Sequence, residues 1–69
     1  MRISARNILK GKVIKVTRGA VNAEVVLELS GGTQIVSIIT LSSVNAMDIK
    51  VGKEAYAVVK ASNVMIGVD

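Results

Sequence analysis

The stretch Val21-Asn22-Ala23-Glu24-Val25-Val26-Leu27-Glu28-Leu29-Ser30-Gly31-Gly32-Thr33-Gln34-Ile35-Val36-Ser37-Ile38-Ile39-Thr40 decides the fold. Val21, Ala23, Val25, Leu27 and Leu29 alternate with Asn22, Glu24, Val26 and Glu28, the two-residue period of a half-buried strand. Ser30-Gly31-Gly32 then interrupts the run with glycines that tolerate the positive φ angles of tight hairpins, and residues 33–40 return as a partner strand. The returning strand is apolar on both faces, Ile35 and Ile39 on one and Val36 and Ile38 on the other, and Val58 beside Val59 repeats the pattern later. One face can fill a barrel, whereas the other must meet a second subunit or stay as an exposed apolar patch.

Upstream, residues 8–18 read as a first strand in which Lys10, Lys12, Lys15 and Arg18 interleave with Leu9, Val13, Ile14 and Val16. Gly11 inside it predicts a bulge or tight bend, and Arg18-Gly19-Ala20 forms the turn into the second strand. Downstream the character changes. Thr40 or Ser42 can cap a short helix through Val44, Asn45, Ala46 and Met47, and Ile49-Lys50-Val51-Gly52 leads back into the sheet. Residues 54–60 form a fourth strand, Ala61-Ser62-Asn63 a corner, and residues 64–68 a short last strand. The expectation is an all-β fold, a five-stranded OB-like barrel with one short helix between its third and fourth strands. No repeat, linker or low-complexity segment divides the 69 residues, so a single domain spanning 1–69 is expected.

Composition agrees. Twelve Val and eight Ile, with no proline, favour pleated strands, while Tyr56 is the only aromatic residue among 51% hydrophobic positions. A chain this short buries a small fraction of its surface and usually needs a staple. The absence of cysteine and histidine excludes disulfides and the usual zinc ligands, which leaves assembly into an oligomer. No segment approaches the roughly 18 consecutive apolar residues of a membrane span, and Met1-Arg2-Ile3-Ser4-Ala5-Arg6 lacks the apolar core of a secretion signal, so a cytoplasmic location without a membrane partner is expected.

A net charge of +4 and a pI near 9.9 point to anions: nucleic acid, an acidic lipid surface or a small oxyanion. Nucleophilic triads need a base of the histidine type, no phosphate-loop or dinucleotide pattern occurs, and Glu24 and Glu28 lie on the polar side of a strand, so no enzyme is expected. What remains is a set of hydroxyls and fixed cations near strand ends: Ser4 and Arg6, Thr40 and Ser43, Lys60 with Ser62. A tetrahedral dianion offers only acceptor oxygens, so its site is built from such cations, rotating hydroxyls and free backbone N–H groups. The same residues have plainer readings. Thr40 and Ser43 can cap the helix, and Arg6 and Lys60 can be solvated charges or pair with Glu24 or Glu54 across an interface in a purely structural oligomerisation module. An OB-type nucleic-acid module is the other alternative, but such sites stack bases on aromatic rings and Tyr56 stands alone.

The segment Ser4-Ala5-Arg6-Asn7-Ile8-Leu9-Lys10-Gly11-Lys12-Val13 resembles the opening SARNxLKGxV signature of the molbindin, or Mop, family. Further likeness runs through Ala23-Glu24-Val25-Val26-Leu27, Gly31-Gly32, Ser37-Ile38-Ile39-Thr40-Leu41 and Ala57-Val58-Val59-Lys60-Ala61, then Val64-Met65-Ile66. The resemblance implies a non-catalytic homo-hexamer, a trimer of dimers, that stores or buffers molybdate or tungstate inside the cell and binds neither nucleic acid nor membrane. It implies ligand contacts from Ser4, the main chain of Ala5, Arg6, Lys60 and the backbone of Ala61, with Thr40 and Ser43 contributed by a neighbouring subunit and no direct protein-to-metal ligand. Two positions depart from the family pattern: Ile8 stands where many relatives carry Gln, and Ala61 where some carry Ser, which removes a hydroxyl but keeps an N–H. A second kind of site near the symmetry axes is assigned by the same likeness to the turn of Gly19, Ala20, Val21 and Asn22.

Overall fold

The computed structural model describes all residues, Met1–Asp69. Four strands, β1 (Asn7–Arg18), β2 (Asn22–Leu29), β3 (Gln34–Thr40) and β4 (Glu54–Val59), form one antiparallel sheet in the order β3-β2-β1-β4. A single helix, α1 (Leu41–Ala46), follows β3, and a 3-10 turn (Ala61–Asn63) follows β4.

The alternation in β2 sets the core. Ala23, Val25 and Leu27 are buried on the concave face, where Val25 pairs with Val16 and Leu27 with Val13 of β1. Val13 and Val16 both reach this core although three positions separate them, because β1 carries one extra residue at Ile14: Val13 pairs with Leu27 but Lys15 with Val26. An extra residue of this kind bends a strand and increases its twist, which helps the sheet to curl. The bulge expected at Gly11 therefore lies three residues later. Gly11 itself is regularly paired with Leu29 and Ala55, and glycine is required there for space, since a Cβ would sit 2.8 Å from the backbone oxygen of Glu28. At the β2–β3 turn the glycines do take positive φ, 90° at Gly31 and 92° at Gly32.

Helix α1 caps one end of the curled sheet. Thr40 is its N-cap, with Oγ1 accepting from the Ser43 N–H at 3.0 Å, and Val44 packs among Val13, Ala23, Val25 and Leu27. At the other end of the helix the Lys53 ammonium donates to the Met47 and Asp48 carbonyls, which have no partner in the helix itself.

The fifth strand expected at residues 64–68 is not part of this sheet. That segment is apolar enough for a strand, but no strand edge of its own chain receives it, and Met65, Ile66 and Val68 are 92%, 88% and 93% exposed. The sheet is accordingly an open half-barrel. Only six residues of the chain are buried, and the surface is 5372 Å² where a folded 7.2 kDa monomer exposes about 4,100 Å². The excess is about 1,250 Å², and large apolar side chains are among what is exposed: Val36 and Ile38 on the convex face of β3 are 60% and 62% exposed.

Candidate functional site

Antiparallel pairing of β1 with β4 places Asn7 opposite Val59. The residues just before β1 and just after β4 are thereby brought side by side, and they form an open cleft of about 460 Å³ lined by Ile3, Ser4, Ala5, Arg6, Lys60, Ala61 and Ser62. Two fixed cations and two hydroxyls face a space into which no carboxylate projects. The chain's ion pairs lie elsewhere, Glu54 with Lys10 at 3.3 Å and Asp48 with Lys50 at 3.6 Å, so neither Arg6 nor Lys60 is neutralised within the chain. The 3-10 turn fixes the Lys60–Asn63 corner through Asn63 N–H to Lys60 O at 2.9 Å and Val64 N–H to Ala61 O at 3.3 Å.

Of the residues expected at an oxyanion site, the structure brings together Ser4, Ala5, Arg6, Lys60 and Ala61. It does not bring Thr40 and Ser43 to them. Thr40 pairs with Asn22, beside the far end of β1, and the twelve residues of that strand separate the two groups by roughly 35 Å of extended chain. At that far end Thr40 caps α1, and Ser43 supplies the backbone N–H that it caps. Thr40 Oγ1 also donates to Ser43 Oγ at 2.9 Å, which leaves the Ser43 O–H free to donate outward.

The turn of Gly19, Ala20, Val21 and Asn22 lies next to Thr40. It is closed by Gly19 N–H to Asn22 O at 2.8 Å and tied to the helix by Leu41 N–H to Val21 O at 2.9 Å. Arg18, which precedes it, donates to Asn45 Oδ1 at 3.3 Å. Ile3 was missed by the sequence reading of the cleft. It had no chemical signal; only its position, one residue before Ser4 in an extended segment, could have pointed to it. Ser62 stood among the candidate hydroxyls and joins the cleft through the tight Lys60–Asn63 corner. Tyr56 lies across from Lys10 in the sheet and takes no part in the cleft.

Fold and cleft together define a class: a small half-barrel β-domain with a basic, hydroxyl-lined cleft where two chain segments meet beyond paired strand ends. Residues 3–66 match the TOBE domain family. The "Molybdenum-pterin-binding protein 2" of Clostridium pasteurianum is 58% identical over 66 residues, covering 96% of this chain and 97% of the relative. The solved structure of MopII from Clostridium pasteurianum superposes with a TM-score of 0.93 at 55% identity, covering 97% of this chain and 100% of that one. The cytoplasmic molybdate-binding protein ModG, solved with molybdate bound, gives a TM-score of 0.96 at 54% identity, and this chain spans all of itself but 49% of that protein. The chain belongs to the TOBE-domain family and, within it, to the Mop group that its opening segment resembles. No helix of the chain is long and apolar enough to cross a membrane.

Proposed function

We propose that this protein binds molybdate or tungstate at the boundary between copies of itself in a hexamer, and thereby stores or buffers the anion in the cytoplasm without catalysing a reaction. The observation that carries this reading is the cleft at the Asn7–Val59 strand ends, where Arg6 and Lys60 face Ser4 and Ser62 with no acid between them. Two cations match the charge of a dianion. The hydroxyls and the N–H groups of Ala5 and Ala61 offer the remaining donors that four acceptor oxygens need. A hydrogen bond to a charged group contributes about 1.5–3 kcal/mol net, so four or five converging bonds reach the roughly −8 kcal/mol of micromolar affinity. The molybdate-binding relatives, one of them solved with the anion in place, support this choice of ligand.

The cleft is open on one side, and the Ser43 hydroxyl lies at the opposite end of the same sheet. A neighbouring copy that presents its own Thr40 and Ser43 to the cleft closes the cage, which makes binding and assembly depend on each other. Calorimetric titration with molybdate tests the reading: saturable heat and a thermal shift are expected, and their absence at millimolar anion overturns it.

A further inference from the structure

The side chains that line the cleft beyond the Asn7–Val59 strand ends are one-sided in their hydrogen bonding. Arg6 and Lys60 can only donate, and no lining residue is a carboxylate, an amide or an imidazole. The Lys60–Asn63 corner adds to this bias. Its Lys60 and Ala61 carbonyls already accept from the Asn63 and Val64 N–H groups, at 2.9 and 3.3 Å, whereas the N–H groups of Ala61 and Ser62 have no backbone partner. We propose that the cleft selects its ligand by proton count. It takes tetrahedral dianions that carry no proton, such as molybdate, tungstate, selenate and sulfate, and rejects those of the same charge that keep one, hydrogenphosphate and hydrogenarsenate. The proposal rests on the anion reading above and adds a chemical boundary to it.

The physical basis is the match of donors to acceptors. A fully deprotonated dianion presents four acceptor oxygens to a lining of donors. A monoprotonated dianion presents an O–H as well, and that O–H needs an acceptor. Among the lining side chains only the hydroxyls of Ser4 and Ser62 can accept it. A hydroxyl that does so must aim its own hydrogen elsewhere, and the protonated oxygen is a poorer acceptor for the cation beside it. A donor left without a partner in this way lowers affinity by about tenfold to a hundredfold.

The group that a neighbouring copy lends on the proposed reading has the same bias. Thr40 Oγ1 donates to Ser43 Oγ at 2.9 Å, so the Ser43 hydroxyl is set to donate outward. Charge cannot make this distinction, because both classes of anion carry two negative charges. Size cannot make it either, because selenate and hydrogenarsenate nearly coincide in bond length and shape. The proton is the one difference to which a lining of donors responds.

The test compares selenate with hydrogenarsenate as competitors for molybdate bound to the full chain, in a mildly alkaline buffer where each competitor carries two charges. Selenate is expected to displace molybdate at a concentration at least about tenfold lower than hydrogenarsenate. Equal potency, or stronger displacement by hydrogenarsenate, overturns the proposal. Failure of both competitors overturns it too, since size alone then selects. Molybdate that does not bind in the first place sinks the anion reading itself, so the two failures are distinguishable. Ser62→Asp gives an independent readout by placing an acceptor in the lining. Direct titration of this variant should show selenate weakened and hydrogenarsenate strengthened, moving the ratio of their affinities by at least about tenfold. A ratio that does not move, or loss of both anions, contradicts selection by proton count.

Discussion

The two ends of β1 hold similar side chains in opposite states. At the Asn7 end, Arg6 and Lys60 sit in an open cleft with no acid to neutralise them, and the hydroxyls of Ser4 and Ser62 stand beside them. At the Arg18 end, Arg18 is bonded to Asn45, Thr40 is bonded to Ser43 twice over, and the Gly19–Asn22 turn is closed on itself. The difference teaches how to tell a ligand's donors from structural ones. Donors that already have partners stabilise the fold, and recruiting them for an anion costs what they give up; donors without partners lose only hydration. On the proposed reading the first end takes the anion, and the second lends it no more than the spare O–H of Ser43.

The sharpest way to break this comparison is Arg6→Ala. A guanidinium that grips an anion through two charge-assisted bonds contributes at least about 3 kcal/mol, so molybdate affinity should fall about 100-fold or more. Because Arg6 has no partner within the chain, the ligand-free melting temperature should stay within about a degree or two, as for surface changes remote from packing. Dissociation of the assembly in this variant would instead mark Arg6 as half of an intersubunit salt bridge. Lys60→Ala should show the same pattern at smaller size. One ammonium bond of about 1.5 kcal/mol corresponds to roughly a tenfold loss in affinity, again with ligand-free stability unchanged.

How much of this contrast was written in the sequence varies from residue to residue. The alternation from Val21 to Leu29 and the Gly31-Gly32 break specify β2, its hairpin and β3 locally, because the side-chain period is a property of the strand itself. The pairing of Asn7 with Val59 is not local: nothing within either segment says that Arg6 and Lys60 become neighbours, and it was the likeness to a known opening signature that joined them. Gly11 was read for its backbone freedom, whereas the structure uses its lack of a Cβ against the Glu28 carbonyl, a constraint set by a strand seventeen residues away. Residues 64–68 carry a strand's composition, but a composition does not name the edge that completes it. Thr40 and Ser43 read equally well as a cap and as anion donors, and one chain displays only the cap.

Thr40→Val separates those two roles at the satisfied end. Losing an N-cap oxygen costs about 1 kcal/mol, typically within 0.5–2. For a domain of this size that lowers the melting temperature by roughly 4–8 °C without ligand. Affinity should fall less than in Lys60→Ala, since Ser43 keeps its hydroxyl. Ser43→Ala reverses the balance: the backbone N–H that Thr40 caps remains, so ligand-free stability barely changes, and any affinity lost reports on the hydroxyl lent to a neighbour's cleft.

Arg18→Ala is the smallest expected effect and the strictest check on the comparison. Its bond to Asn45 is exposed and 3.3 Å long, so removing it should change stability by no more than about 0.5 kcal/mol and affinity by less than about threefold. If the charge of Arg18 acts only through the field of the whole assembly, the loss should vanish as salt is raised from 0.01 M to 0.15 M, where the screening length shortens from about 30 Å to about 8 Å. A loss that exceeds that of Lys60→Ala and survives salt would reverse the assignment of the two ends. The anion would then sit primarily at the Gly19–Asn22 turn, where Arg18 releases Asn45 to reach it, and the unpaired cations at the Asn7 end would be secondary.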